Sequence, residues 1–117
     1  MRWLNILLGL AMLAFAAAQY NDPDGPLWAV YYLVPAFCAL MAAFRSEWLR
    51  RPSRLPLIWI GVVIWFGLVV YYWPAMPGFW RKEVFMEEET AREGMGLMIA
   101  FLVMLVAAGT ARGKPAR

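Results

Sequence analysis

The amino-acid sequence predicts an all-α integral membrane protein, a four-helix bundle made of two transmembrane hairpins. Three observations lead there: a 63% hydrophobic composition, four long apolar runs, and a charge distribution that alternates from one connection to the next. Soluble domains are roughly 45–50% apolar, and a chain of 117 residues has too little interior to hide the excess. A bilayer can hide it. In hydrocarbon every backbone N–H and C=O must be bonded within the chain, so the apolar runs are read as helices.

The spans fall at about 3–19, 27–44, 55–73 and 93–110 of a single domain covering 1–117. Each comes close to the ~20 residues that cross a ~30 Å hydrocarbon core, the first being the shortest. The first span begins behind Met1-Arg2 and ends in Ala14-Phe15-Ala16-Ala17-Ala18, which also fits a secretory signal with a small-residue cleavage site. Cleavage there would leave three spans in the same orientation. The first connection, Gln19–Pro26, is a turn by composition, since Asn, Asp, Pro and Gly each favour chain reversal. The second, Arg45–Arg54, is short and basic. The third, Pro74–Glu93, opens with two Pro and a Gly, and from about Val84 lacks breakers and leads as a helical turn or two into the last span. Small residues four apart, at Ala14–Ala18, Ala39–Ala43 and Gly96–Ala100, would let helices approach closely.

Charge sets the orientation. Arg2, Arg45, Arg50, Arg51, Arg54, Arg112, Lys114 and Arg117 share one side with a single acid, Glu47, giving +7. Arg81, Lys82 and Arg92 share the other with seven acids, giving −4. Basic short loops stay inside, so both termini are expected in the cytoplasm of a multi-pass protein of the cell inner (plasma) membrane. The basic face matches anionic lipid and carries no nucleic-acid signature. The aromatic pairs Tyr31-Tyr32 and Tyr71-Tyr72 then fall near the outer interface.

Several chemistries are excluded. The lone cysteine, Cys38, sits in an apolar run and reads as a small buried residue, so no internal disulfide or dithiol pair exists. The absence of histidine removes imidazole ligation and His general bases. No phosphate loop, Ser-based elbow or metal-ligand spacing occurs, and no cofactor is expected.

Two polar constellations meet at the outer end of the hairpins. One is Gln19, Asn21, Asp22 and Asp24, followed by Trp28 and Tyr32; the other is Glu89, Arg92 and Glu93. Helix capping and an interfacial Trp28 account for part of the first. Dipole-favoured acids and i,i+3 or i,i+4 pairs from Glu88 and Glu89 to Arg92 account for part of the second. The combined oxygen-rich set suits a hard cation in principle, or a structural network locked by Arg92; whether a metal binds is open.

These motifs carry a resemblance. Gln19-x-Asn21-Asp22-Pro23-Asp24 with Trp28, Tyr32, Pro35 and Ala36, then Glu89-x-x-Arg92-Glu93-x-x-Gly96-Leu97, is similar to the transmembrane protein 220 family. Thr90 stands where the family pattern more often has a second Glu. The family is named for its topology, so the resemblance implies fold and motif placement but no reaction, substrate or cofactor. An accessory or binding role is expected, with the bilayer, a membrane protein partner or further copies of the chain as company. Transport of a small solute or ion is the alternative, but it calls for ionisable residues within the spans, where the strongest polar group is Asn5.

Overall fold

The computed structural model describes residues 2–19, 23, 25–74, 78, 81 and 89–112, with the backbone alone at 89 and 90. It is all-α, with five helices and no strand among the described residues: α1 (Arg2–Ala17), α2 (Gly25–Phe44), α3 (Ser46–Leu49), α4 (Leu55–Tyr71) and α5 (Glu89–Arg112).

Each helix can be traced to its residues. In α1 the buried positions are Asn5, Gly9, Met12 and Ala16, spaced four, three and four apart along one stripe. Gly9 is there because Leu40 of α2 crosses it; a Cβ would lie 2.8 Å from the Leu40 side chain. Ala14 and Ala18, expected to form a small-residue contact, are instead exposed, because the register of the stripe turns them outward. Gly96 and Ala100 of that expected set are buried, as is Ala39, while Ala43 is only partly covered. Helix α4 carries Pro56 in its first turn, where no N–H is needed. The basic connection is more ordered than its composition suggests, since residues 46–49 form the short helix α3. Helix α5 starts at Glu89, four residues ahead of the expected span, and runs to Arg112.

Proline 35 lies inside α2 and is buried. It has no N–H to give to the carbonyl of Tyr31, four residues back. The indole of Trp65 in α4 donates to that carbonyl instead, at 3.0 Å. A backbone acceptor exposed by proline is thus satisfied by a neighbouring helix, and the exchange ties α4 to α2.

Helix α1 packs on α2 and α4 on α5, while α5 also lies against α2 and, over a shorter stretch, α1. The molecule measures 43 × 24 × 23 Å, and its long axis equals the ~40–45 Å of a bilayer with headgroups. The interior is apolar, with Met12, Leu97 and Val103 fully buried. The outside is apolar as well: Leu7 is 66% exposed, Val63 70% and Trp3 77%. A surface of that kind, far larger than the patches soluble monomers expose, belongs against lipid. Two helices are long and apolar enough to cross a membrane, Gly25–Phe44 and Ala91–Arg112, with mean hydropathies of 1.9 and 2.1. Arg2–Ala17 and Leu55–Tyr71 are shorter apolar helices of 16 and 17 residues.

Six arginines gather at one end, where the start of α1 meets the ends of α2 and α5. Arg2 lies over the Phe44 ring at 5.6 Å, and Arg50 Nε donates to the Ala111 carbonyl at 3.0 Å. Arg54 Nη1 donates to the Trp48 carbonyl at 3.3 Å while its guanidinium lies 4.1 Å from the Trp48 ring centre. Arg45 pairs with Glu47 at 3.3 Å in the open. Arg51 and Arg112 complete the set. One turn inward, Asn5 Nδ2 donates to Thr110 Oγ1 at 2.9 Å, and Thr110 donates to Val106 O at 2.8 Å.

Candidate binding site at the aromatic end

The opposite end is built from rings. Trp28, the first large residue of α2, is buried rather than seated at a lipid interface as its position in the sequence suggests. Its ring meets Tyr31 and Tyr72 edge-on, each at 5.0 Å, and Tyr32 at 6.2 Å. The Tyr31 and Tyr72 hydroxyls lie 3.3 Å apart, joining α2 to the end of α4. Phe15 of α1 meets the Tyr32 ring edge-on at 5.4 Å. Edge-to-face pairs of this kind add about 0.5–1.5 kcal/mol each beyond the area they bury. Of the two expected interfacial pairs, Tyr71 is exposed, Tyr31 and Tyr72 are partly covered, and Tyr32 is buried.

Two glycines let α5 close onto this cluster. Gly96 faces the Tyr32 hydroxyl so closely that a Cβ would overlap it. At Gly94 a Cβ would lie 2.5 Å from Pro74 Cδ and 2.8 Å from the Tyr72 carbonyl oxygen. The segment Glu93-Gly94-Met95-Gly96 is therefore a seat, with the bare backbone of α5 accepting Tyr32 from one helix and the end of α4 from another.

Above the seat is a cavity of about 190 Å³ lined by Phe15, Ala18, Gln19, Tyr32, Arg92, Gly96 and Ile99. Gln19 comes from the end of α1, where its side chain donates to the Phe15 carbonyl at 3.3 Å, answering one of the orphan acceptors of a helix C-terminus. Tyr32 comes from α2 and Arg92 from the first turn of α5. Arg92 is exposed and Glu93 partly covered, and the Glu93 carboxylate acts electrostatically on Tyr32.

Of the residues expected to form the polar site, Gln19, Tyr32 and Arg92 line this one cavity, and Trp28 and Glu93 adjoin it through Tyr32. Asn21, Asp22 and Asp24 lie outside the described residues, as do Glu88 and the side chain of Glu89. The expected capping of α2, the pairing of Arg92 with those acids, and the convergence of four carboxylates on a cation involve these residues and so lie outside the described residues too. Among the described residues no three His, Cys, Asp or Glu side chains group together. Gly94 and Trp65 also build this end without having been singled out by sequence reasoning, and Tyr72, expected only as an interfacial residue, is part of the cluster. Pro35 was the available signal for Trp65, because a proline inside a buried helix implies a donor from elsewhere.

Residues 11–109 match the family model described as "Transmembrane family 220, helix". The chain belongs to that family. The match runs from the middle of α1 to near the end of α5, so Gln19, Trp28, Tyr32, Glu89, Arg92 and Glu93 all fall within it. Family 220 is described by its transmembrane character, and that description agrees with the apolar exterior and the two helices of spanning length. No solved structure matches the chain.

Proposed function

We propose that this member of transmembrane family 220 is a single-domain, multi-pass protein of the cell inner (plasma) membrane. Its four long helices form a bundle, both termini are cytoplasmic, and its role is accessory: it binds a partner or ligand at the extracytoplasmic end. The observation that carries this reading is the cavity on which an amide (Gln19), a phenol (Tyr32) and a guanidinium (Arg92) converge from three different helices over the apolar walls of Phe15 and Ile99. Helix capping alone does not call for such convergence. A concave, mostly apolar site with a few placed polar groups is the usual form of a binding pocket. Arg92 adds a fixed positive charge with fork geometry, which favours a carboxylate or phosphate on the bound group. Asn21, Asp22, Asp24, Glu89 and Glu93 are proposed as further polar members of the binding site. Transport is the weaker reading, since no charged residue lies between Trp3 and Phe44 other than the acids of the first connection, nor between Leu55 and Trp73.

Purification in mild detergent, with mass spectrometry of everything that co-elutes, tests the site. A protein or small molecule that accompanies the wild type and is lost from Arg92→Gln supports it. An identical co-eluting set from both overturns it. Orientation is tested separately in a Cys38→Ala background. Cysteine at the exposed Pro23 should react with an impermeant maleimide on intact cells, and at the exposed Ser53 only after lysis. Labelling of Ser53→Cys in intact cells would reverse the topology.

A further inference from the structure

A second cavity, of about 280 Å³, opens at the basic end between α2 and α4. These two helices are pinned at the aromatic end by Trp65 on the Tyr31 carbonyl, yet their backbones hardly approach one another elsewhere. The gap is walled by Val34 and Cys38 of α2, Gly61 of α4 and Met104 of α5, with Trp48 and Arg54 at its mouth. Arg54 is the charged residue in that lining. Gly61 keeps the floor deep, because a Cβ there would lie 2.7 Å from the Met104 methyl.

Dimensions and charge select the occupant. From Arg54 to Gly61 is seven residues of helix, about 10 Å. The walls are apolar along that length, and the charged group, Arg54, stands at one end of it. An extended hydrocarbon chain suits the shape. At the mouth, the Trp48 carbonyl and ring hold the Arg54 guanidinium in place, and a guanidinium has five N–H donors in a fork that matches phosphate oxygens. Arg50 and Arg51 lie within four residues, and Glu47, the acid of that connection, is paired with Arg45. The mouth therefore carries excess positive charge above an apolar slot.

We propose that this groove holds one anionic phospholipid, with its phosphate on Arg54 and the upper part of one acyl chain along Cys38, Gly61 and Met104. The proposal needs the helices to span a bilayer and is independent of what binds at the aromatic end. Basic pockets between transmembrane helices are known to take acidic lipid headgroups.

Native mass spectrometry of the full chain, delipidated in mild detergent, decides it. The probes are phosphatidylglycerol, phosphatidylcholine with the same acyl chains, and inorganic phosphate. The wild type should retain one phosphatidylglycerol in preference to phosphatidylcholine by about fivefold or more, the value of roughly 1 kcal/mol for one arginine at a membrane surface. Arg54→Gln should erase the preference, and Gly61→Phe should lower retention of both lipids. Arg45→Gln should retain the wild-type preference. Equal retention of the two lipids by the wild type overturns the site, as does an intact preference in Arg54→Gln or displacement of phosphatidylglycerol by inorganic phosphate. Helix content by circular dichroism accompanies each variant. If Arg54→Gln loses it, Gly61→Phe carries the test, and unchanged lipid retention by that variant is the overturning result.

Discussion

The two ends of this molecule are held together in different ways. At the aromatic end, contact is made by shape: Tyr32 against bare backbone at Gly96, Pro74 against Gly94, and rings meeting edge-on. At the basic end, contact is made by reach, with Arg2, Arg50 and Arg54 extending to a ring or a carbonyl on another element or another turn. Lipid gives apolar helices little reason to associate, so close packing and interhelical hydrogen bonds must supply it. Packing by shape tolerates little change, whereas long cationic side chains can re-aim. Substitutions at the aromatic end should therefore cost more than those at the basic end.

The sharpest way to break that contrast is Gly96→Ala. The added methyl overlaps the Tyr32 hydroxyl, and forcing such a group into a packed interior typically costs about 1–3 kcal/mol. Thermal unfolding in detergent should show the loss. Tyr32→Phe in the same chain should restore part of it, because the ring carbon Cζ would lie 3.2 Å from the new Cβ, a distance that small shifts absorb. A Gly96→Ala variant that melts like the wild type would remove the basis for calling this end shape-packed.

Trp65→Phe comes next. It leaves the Tyr31 carbonyl without its indole donor, a loss of roughly 1 kcal/mol for a single bond. Pro35→Ala would return a backbone N–H to that carbonyl, so in a Pro35→Ala background the cost of Trp65→Phe should shrink. Equal costs in both backgrounds would mean that the bond contributes nothing and that only the bulk of Trp65 matters.

At the basic end, Asn5→Ala removes the bond to Thr110. Interhelical polar pairs in membranes average about 0.6 kcal/mol, and a loss near that value is expected from the same melts. Smallest of all is Arg45→Gln: its partner Glu47 is as exposed as it is, each 66%, and pairs of that kind give about 0–1 kcal/mol, often nothing measurable. A large effect from either substitution would show that the basic end, too, depends on specific contacts.

What sequence reasoning reaches follows from the physics each feature obeys. The helices were legible because a lipid-exposed backbone has few other options, and the family motif was legible because its polar residues stand out against hydrocarbon. Helix registers were harder to read. Apolar residues line the outside as well as the inside here, so α4 offers no hydrophobic face to orient it, and the small-residue rule chose Ala14–Ala18 where Gly9 and Ala16 were the buried positions. The site was legible in part. Gln19, Tyr32 and Arg92 were named as polar residues at one end, but their meeting over Phe15 and Ile99 depends on how α1, α2 and α5 rotate. Gly94 and Gly96 carry no chemistry of their own; their meaning lies in the tyrosine and proline opposite them.

The unequal helices have a consequence for the membrane itself. Helix α2, at 20 residues, matches a ~30 Å hydrocarbon core, whereas α1 and α4, at 16 and 17, reach only about 24–26 Å. Helix α5 lies against α2, α4 and α1, but α1 and α4 make no comparable contact with each other, so the two short helices form opposite flanks. In the four-span arrangement proposed above, the bilayer on those flanks would thin by several ångströms or flanking side chains would snorkel, at a fraction of a kcal/mol for each ångström. Hydrophobic mismatch of this kind relaxes in thinner membranes, or when two copies bring their thinned flanks together. In that arrangement the length of α1 and α4 would influence where in a membrane the protein gathers, whatever it binds there.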